Sequence, residues 1–407
     1  MKAPLEGMRV IEAASFVAVP AAGALLGDLG AEVIKVEVPR GEVFRRSRLK
    51  YAGYSSEFSE WPAFLMDNRG KRSLPLDLTD PAACDALVRL VGTADIFVTN
   101  LLPGRRRKYG LDHETLLARY PRLIVGAISG YGLAGDEADR PAFDYAAYWA
   151  RTGMMDAMRD EGVPPSLLRP GIGDHAAATN LVCGILSALR LRDADGRGRF
   201  VDVSLLETGF HALGNDLATA LVTGEPPKRH DRRAPPNPLW NSYPVADGRW
   251  ILLVMVEPER YWPGLCRAID RKDLLDDPRF AEPFTRARHG AELTRILEQA
   301  FAARPLEVWR PILDAAGLIW SPVQRLDEAI RDPQAEALGC FQPVEHPKAG
   351  SYRTMTAPFR IDGAPAVAAR PPSELGADAK TLLREVGIDE AEIERLTLDP
   401  RRAKEAK

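Results

Sequence analysis

The segment from Arg169 to His175 holds the residues best suited to chemistry in this chain. It places the carboxylate of Asp174 at the predicted start of a helix, directly behind Gly171 and Gly173. Glycines let a ligand approach the backbone closely, and a helix N-terminus favours anions. A carboxylate is a weak nucleophile in water and a stronger one in a partly desolvated site. Asp174 also fits a simple N-cap, worth about 1 kcal/mol, and the residue types alone favour that role, although a cap does not require both glycines.

The same segment satisfies the dinucleotide pattern G-x-G-x-x-A through Gly171, Gly173 and Ala176. That pattern should directly follow a buried strand, whereas prolines interrupt the chain just before Gly171. The first predicted strand-to-helix turn, Ser15 to Pro20, contains no glycine. These features argue against an NAD-dependent oxidoreductase.

Two short basic runs are candidates for binding a phosphate-bearing ligand. They are Lys71-Arg72 and the run Arg105 to Lys108, each at or just after the end of a predicted strand. Ligands of open parallel sheets bind outside the carboxyl ends of the strands, and phosphates favour such cations. The alternative is ordinary solvated surface charge, which explains most runs of this kind.

The histidines and cysteines predict no metal site and no disulfide. We assign His175 an orienting or packing role, because no second acid or base stands beside it in sequence. The other histidines, which lack metal-ligand spacing, are His113, His211, His230, His289 and His346. The four cysteines, whose wide spacing predicts buried free thiols in a reducing compartment, are Cys84, Cys183, Cys266 and Cys340. No permanently bound cofactor is expected.

Composition and charge predict a cytoplasmic protein without a nucleic-acid or membrane partner. The 407 residues carry 54 Lys and Arg against 57 Asp and Glu, a formal net charge of -3, which gives no field attractive to polyanions. The apolar run Ala13 to Gly27 is broken by Pro20 and too short to span a bilayer, and no other segment is expected to reach about 20 apolar residues.

Strand and helix patterns alternate through the first half of the chain, which predicts an α/β fold with a doubly wound, mostly parallel sheet. The predicted strands are Met8–Ala14, Ala31–Glu37, Arg72–Leu78, Ile96–Thr99, Leu123–Ser129 and Phe200–Leu205. The predicted helices are Ala21–Leu29, Pro81–Val91, His113–Tyr120 and about His175–Leu191.

A proline-rich basic stretch at 224–238 indicates a linker between a large domain at 1–223 and a small α+β domain at 239–335. The small domain opens with a hairpin signal, because two strand-like runs flank Asp247-Gly248. Its strands are predicted at Trp240–Val245 and Trp250–Val256 and its helices at Glu292–Ala302 and Leu306–Ala315. Residues 336–407 are predicted to be a linker and two helices, near Ala377–Glu385 and Asp389–Leu396, that return to the large domain.

Several short motifs together resemble the class III CoA-transferases, the CaiB/BaiF family that includes formyl-CoA and carnitine CoA-transferases. The motifs are Pro4-Leu5-Glu6-Gly7-Met8-Arg9-Val10, the run Asp28 to Glu37, Gly70-Lys71-Arg72-Ser73, Ile128-Ser129-Gly130-Tyr131-Gly132 and Gly196-Arg197-Gly198. The resemblance runs nearly end to end.

The resemblance implies a large Rossmann-like domain, a small domain and a homodimer whose subunits interlink. It implies that Asp174 forms the covalent intermediate while CoA passes from an acyl-CoA donor to a carboxylic acid acceptor. From the residues of the motif around Asp174, we expect the backbone amides near Gly171 to Gly173 to stabilise oxyanions. We also expect the helix N-terminus to favour the ionised state of Asp174. The CoA contacts that the resemblance implies are the backbone of Val17 and Ala18, the segment Asn100-Leu101, Lys108, and Arg140 to Phe143.

Departures from the family pattern narrow the range of expected substrates and reactions. Formyl-CoA transferases have a glutamine at the position of Val17 and a glycine-rich loop that has no counterpart between Asn237 and Trp250. Related racemases carry Gly-His-Asp where this chain has Ala142-Phe143-Asp144, which disfavours racemisation. The branch acting on aryl-lactate, 2-hydroxyisocaproate and bile-acid CoA esters is the most similar, which implies a bulky, mostly apolar acid.

Three alternatives to transfer remain at this point: an acyl-CoA racemase or isomerase of the same superfamily, the disfavoured NAD-dependent oxidoreductase, and a CoA-binding protein without activity. The role of Asp144 is open.

Overall fold

The computed structural model of the chain describes residues 3–46, 60–368 and 370–397. The chain divides into two compact units. Residues 157–165 and 227–332 form the smaller unit, and the rest of the described chain forms the larger unit. The boundaries predicted at 223 and 335 lie close to two of these divisions, whereas 157–165, predicted within the large domain, belongs to the smaller unit.

The larger unit is built on a six-stranded parallel sheet in the order β3-β2-β1-β4-β5-β6. The strands are β1 Arg9–Ala13, β2 Glu32–Glu37, β3 Arg72–Pro75, β4 Ile96–Thr99, β5 Ile124–Ser129 and β6 Arg199–Ser204. Val10 of β1 pairs with Val33 of β2 on one side and Ile96 of β4 on the other. The strand order reverses between β1 and β4, which is where doubly wound sheets bind ligands.

Helices cover both faces of this sheet, as the alternating pattern predicted. They are α1 Ala18–Asp28, α2 Val43–Arg46, α3 Pro62–Asn68, α4 Pro81–Val91, α5 Pro103–Lys108, α6 His113–Arg119, α7 Met154–Ala157, α8 Ile172–Asp195, α9 Leu205–Ala212 and α10 Gly214–Thr223. Val10 is buried in a cluster with α1 and α8, and the next residue, Ile11, is buried in a second cluster with α4. Successive strand residues point to opposite faces, so both faces are packed and the predicted fold class is confirmed.

Helix α8 has 24 residues and ends at Gly196, whose φ of 77° is in the left-handed region that favours glycine. It is long and apolar enough by composition to cross a membrane, so the expectation that no segment reaches that length is wrong. Ala177, Leu181 and Ile185 pack instead into the hydrophobic core of the larger unit. Such burial is typical of a core helix in a soluble fold.

The smaller unit contains an antiparallel sheet in the order β7-β8-β9 and a cluster of helices. Its strands are β7 Trp240–Pro244, β8 Trp250–Val254 and β9 Trp320–Pro322, and its helices are α11 Pro258–Ala268, α12 Pro283–Arg288, α13 Gly290–Phe301, α14 Leu306–Ala315 and α15 Leu326–Ala329. A 3-10 turn covers Lys272–Leu275. The predicted hairpin is β7–β8. Strand β9 is a third strand that was not predicted, because a run of three residues is too short to show a periodic pattern.

The last segment of the chain belongs to the larger unit. Its elements are α16 Pro333–Ala337, β10 Phe341–His346, β11 Gly350–Met355, β12 Arg360–Ile361, β13 Ala364–Pro365, α17 Ala379–Glu385 and α18 Glu390–Thr397. Strand β10 pairs with β11 and β12 with β13, both antiparallel. The Asp378 carboxylate accepts hydrogen bonds from the Arg72 side chain and the Ser73 amide, at 3.1 and 3.0 Å. These contacts tie the segment to β3.

Candidate active site

Helix α8 begins at Ile172 after Gly171, whose φ of 81° requires the left-handed region. Asp174 is the third residue of the helix, and its side chain makes no capping hydrogen bond. Among the described residues no hydrogen bond or ion pair involves its carboxylate. The capping role that the residue types alone favoured is therefore wrong for Asp174.

The carboxylate of Asp144 caps α8 in its place. Its Oδ2 atom accepts hydrogen bonds from the amides of Gly171 and Gly173, at 2.9 and 3.3 Å. Asp144 is buried and directly precedes a π-helical turn, Tyr145–Ala150, a conformation that is common at functional sites. Because both amides are occupied, the expectation that they bind an oxyanion is wrong for this arrangement.

The pKa of Asp174 is raised from 3.8 to about 7. Burial of the carboxyl is the largest cause, followed by the negative charge of Asp144, and the positive charge of His175 opposes them. A helix N-terminus contributes roughly 0.3–1 kcal/mol, and one pKa unit is about 1.4 kcal/mol. Burial and the charge of Asp144 therefore outweigh any preference of the helix N-terminus for the ionised form, and the net shift in the pKa of Asp174 is upward.

His175 is hydrogen-bonded to a buried carboxylate that the sequence did not single out. Its Nε2 atom lies 3.0 Å from Oδ1 of Asp67, in α3. Burial lowers the pKa of His175, but the hydrogen bond and charge of Asp67 and the charge of Asp174 more than offset this, so the net shift is upward. The contact suits an orienting role for His175. In the sequence, Asp67 is one polar residue of a short helix, with no neighbour that marks it.

The two glycines before Asp174 are required for different reasons. A β-carbon at Gly173 would lie 2.5 Å from Cγ of Tyr148 in the π-helical turn, which leaves no room for a larger residue. At Gly171 it is the positive φ that requires glycine, because an added β-carbon would lie only at ordinary contact distance, 3.7 Å from Cγ1 of Val17. The start of α8 therefore packs closely against the π-helical turn.

Four of the predicted CoA contacts lie at the point where the strand order reverses. Val17 is the N-cap of α1 and Ala18 its first residue, directly after β1. Asn100 and Leu101 follow β4. The Asn100 side chain accepts from the Ser15 amide at 3.2 Å and donates to the Ser15 carbonyl at 2.7 Å, so the two turns are joined.

The remaining predicted CoA contacts are exposed. Lys108 is the last residue of α5, with its Nζ atom 5.8 Å from the centre of the Tyr109 ring. Arg140 pairs with Glu137 and lies 5.2 Å from the Tyr131 ring centre. Phe143, beside Asp144, is 57% exposed. All three side chains are accessible to a ligand.

Lys71 and Arg72 do not fit a phosphate site. The Lys71 ammonium is buried and donates to Glu12 Oε2, the Pro20 carbonyl and Asn68 Oδ1, at 2.7, 2.7 and 3.0 Å, which uses all three of its donors. Arg72 begins β3, at the amino edge of the sheet, and pairs with Glu32 and Asp378. The prediction that Lys71 and Arg72 bind a phosphate is therefore wrong, because it assumed that both lie at the carboxyl edge of the sheet.

Cys183 lies on the outward face of α8 and is exposed, so the expectation that it is buried is wrong. Cys266 is buried, and Cys84 and Cys340 are half-buried.

We expect Asp144→Asn to lower the pKa of Asp174. The variant keeps an oxygen that can accept the two glycine amides but removes the negative charge that raises the pKa of Asp174. A ¹³C NMR carboxyl titration should show the midpoint near 7 in the unaltered protein fall by about 0.5–1 unit.

Asp80→Asn is the matched control, because Asp80 caps α4 through the Ala82 amide. An unchanged midpoint in Asp144→Asn, or an equal fall in Asp80→Asn, would contradict the assigned cause.

Comparisons with known proteins identify the family. The chain matches CoA-transferase family III over residues 5–379. It is 32% identical to (R)-2-hydroxy-4-methylpentanoate CoA-transferase of Clostridioides difficile, over 96% of this chain and 97% of that protein. It is 30% identical to cinnamoyl-CoA:phenyllactate CoA-transferase of Clostridium sporogenes, over 97% and 96%.

Solved structures give the same result. A CaiB/BaiF family protein from Brucella suis superposes with a TM-score of 0.84 and is 28% identical, covering 95% of this chain and 100% of that chain. Rv3272 from Mycobacterium tuberculosis superposes with a TM-score of 0.80 and is 31% identical, covering 93% and 99%. The family resemblance seen in the sequence motifs is confirmed: the chain belongs to CoA-transferase family III and is an enzyme of that family.

Proposed function

We propose that this protein transfers CoA from an acyl-CoA thioester to a free carboxylic acid through covalent intermediates on Asp174. One observation carries the proposal: the Asp174 carboxyl is largely buried, has no partner among the described residues, and has a pKa of about 7. Near neutral pH much of it is ionised, and a carboxylate without hydrogen-bond donors is a stronger nucleophile than one in water.

In the first half-reaction the Asp174 carboxylate attacks the thioester carbonyl of the donor. The carbon–sulfur bond breaks, which leaves an acyl aspartyl anhydride and CoA thiolate. The thiolate then attacks the aspartyl carbonyl of the anhydride, forms the Asp174–CoA thioester and releases the donor acid as its carboxylate. The energy of the thioester bond is conserved, so no ATP is required.

The second half-reaction reverses these steps with another acid. The acceptor carboxylate attacks the Asp174–CoA thioester and gives a new anhydride and CoA thiolate. The thiolate attacks the acceptor carbonyl, which releases the acceptor as its CoA ester and frees the Asp174 carboxylate. Asp144 and His175 hold the start of α8 in place from two sides throughout.

We place CoA across the strand-order reversal between β1 and β4. The backbone at Val17 and Ala18 opens α1, a helix start that favours anionic groups. Val17 lies near the start of α8, since a β-carbon at Gly171 would be 3.7 Å from its Cγ1 atom, and we place the bound CoA within reach of Asp174. Lys108 and Arg140 are exposed cations that could meet its phosphates.

For the acid, a cluster of aromatic side chains favours a bulky, mostly apolar group. The Phe16 ring lies 5.1 Å from the Phe143 ring, edge to face. Phe16 precedes Val17, and Phe143 precedes Asp144, the residue that caps α8, so we assign this cluster to the acid. Phe44 extends the cluster, 6.5 Å from Phe16 and 6.4 Å from Trp61. Relatives named for 4-methylpentanoate and phenyllactate substrates support this choice.

We further propose a homodimer whose contact includes the outward faces of α8, α9 and α10. Helix α10 buries none of its residues in this chain, and Leu221 and Val222 are 86% and 88% exposed. Cys183, Leu186 and Leu191 line a shallow depression on α8. Exposed apolar faces of this kind are typical of subunit contacts. A cytoplasmic location stays a prediction.

The adduct on Asp174 is directly testable. Incubation with a panel of acyl-CoAs should add the mass of CoA to the intact protein, and hydroxylamine should convert the thioester to a hydroxamate at Asp174. Asp174→Ala should abolish both the adduct and transfer, because no nucleophile remains, while CoA binding persists.

Glu394→Ala, which removes an exposed carboxylate of α18, is the control. Turnover by Asp174→Ala at the unaltered rate would exclude the covalent route. Solvent deuterium entering the α-carbon without an acceptor would indicate a racemase, and CoA binding without any adduct would indicate a non-catalytic protein.

Phe143→Ala should reduce kcat/KM for aryl and branched acids more than for acetate. Truncating an aromatic ring removes apolar contact worth roughly 1–3 kcal/mol, or about 10- to 100-fold, for an acid large enough to touch it. Phe284, an exposed aromatic residue of the smaller unit, provides the control Phe284→Ala. An equal loss for acetate and aryl acids would contradict the assignment of Phe143 to the acid.

The dimer is tested by sedimentation velocity. The unaltered chain should sediment at twice its 44.7 kDa mass, and the double variant Leu221→Glu with Val222→Glu should shift toward the monomer, because two charges would be buried without partners. Leu326→Glu changes a residue of similar exposure in the smaller unit. Sedimentation of the unaltered chain as a monomer would contradict the proposal.

A further inference from the structure

The turn between β1 and α1 contains a bulky residue in a conformation that rarely suits one. Phe16 has a φ of 64°, in the left-handed region. The other described non-glycine residues with positive φ are both aspartates, Asp270 and Asp362, whose short polar side chains tolerate that region. For a phenylalanine the left-handed conformation costs roughly 1–2 kcal/mol. Surrounding contacts must therefore hold Phe16 there.

The buried carboxylate of Glu42 supplies the main contact. Its Oε2 atom accepts a hydrogen bond from the Phe16 amide at 2.6 Å. Its Oε1 atom lies 2.7 Å from the Nζ atom of Lys35. Both Glu42 and Lys35 are almost fully buried, so the carboxylate is fixed between the turn and β2.

Further charges tie this pair to the sheet. Lys35 also donates to Glu12 of β1 at 2.9 Å, and Glu12 binds Lys71, at the start of β3, at 2.7 Å. Buried ion pairs of this kind contribute little net stability, because desolvation opposes the attraction. Fixing one conformation is the better-attested role of such groups, and here the network ends at the Phe16 amide.

Phe16 is the residue before Val17 and Ala18, whose backbone we assign to CoA. The preceding residue, Ser15, is held through both its amide and its carbonyl by Asn100. The turn is thus fixed at two successive residues by side chains from two directions. Val17 and Ala18 follow in the first turn of α1, where the Val17 carbonyl accepts the Ala21 amide at 2.8 Å, and the direction of that turn depends on the conformation of Phe16.

We propose that Glu42 is a positioning residue that holds Phe16 in the left-handed region and so presents the start of α1 to CoA. The proposal rests on the function proposed above. Without the Glu42 carboxylate, Phe16 relaxes to a negative φ, and the amides at Val17 and Ala18 turn away from the ligand. The expected loss is in CoA affinity, whereas the chemistry at Asp174 is retained once CoA is bound.

The test measures the dissociation constant of free CoA by calorimetry and the kinetic constants for acyl-CoA. Glu42→Ala should weaken CoA binding and raise KM for acyl-CoA, by about tenfold for a 1–2 kcal/mol strain, with kcat nearly unchanged. Glu42→Gln keeps an oxygen that can accept the Phe16 amide, so it should lose less CoA affinity than Glu42→Ala. Adding Phe16→Gly to Glu42→Ala should recover most of the CoA affinity, because glycine adopts positive φ without strain.

Asp28→Asn is the matched control. Asp28 is a buried carboxylate at the other end of α1, where it pairs with Arg69 and accepts the Ala368 amide at 2.7 Å. The variant should lose thermal stability and keep its CoA affinity. If Glu42 had a merely structural role, its variants would behave like Asp28→Asn: they would lose thermal stability and keep their CoA affinity.

Unchanged CoA affinity in folded Glu42→Gln and Glu42→Ala, or no recovery with Phe16→Gly, would overturn the proposal. Measurements of CoA binding and adduct formation on the unaltered protein distinguish this outcome from a failure of the proposed function. If it binds CoA but forms no adduct, the covalent route fails and the role of Glu42 is still decided by the binding data. If it binds no CoA at all, both proposals fail.

Discussion

The hydrogen bonds from the amides of Gly171 and Gly173 to the Asp144 carboxylate determine what Asp174 can do. A helix start usually satisfies its free amides with a side chain from its own first turn. Here a buried carboxylate from the preceding π-helical turn occupies them, which leaves Asp174 without a structural task. The same negative charge raises the pKa of Asp174. One interaction therefore both caps α8 and raises the pKa of the proposed nucleophile.

The parallel sheet brings the parts of the site together. The turn after β1 and the turn after β4 meet where the strand order reverses, and the Asn100 side chain joins them. Gly173 at the start of α8 then allows Tyr148 of the π-helical turn to approach closely. Since each contact depends on another segment of the fold, the site forms only when the larger unit is complete.

Buried charge is used in two ways in this unit. The network of Glu12, Lys35, Lys71 and Glu42 consists of paired groups that fix backbone conformation. Asp174 differs because its largely buried carboxyl has no hydrogen-bond or ion-pair partner in the part of the chain that the structure describes, a condition that costs free energy and is typical of a reactive group. The contrast explains why Lys71, which looked like a phosphate ligand, is part of the scaffold.

Sequence by itself determined the fold class and the bounds of several elements, because these depend on local periodicity, and it singled out Asp174 as a candidate from the residue types of one short segment. Helix α4, strand β4 and helix α14 begin and end where the pattern predicted, since caps and apolar spacing are local signals. Tertiary structure alone decided the partners: Asp144 as the cap, Asp67 on His175, and Glu42 on Phe16. Each of these pairs joins residues distant in sequence through side-chain geometry, and burial, which sets the pKa of Asp174, exists only once the chain has folded.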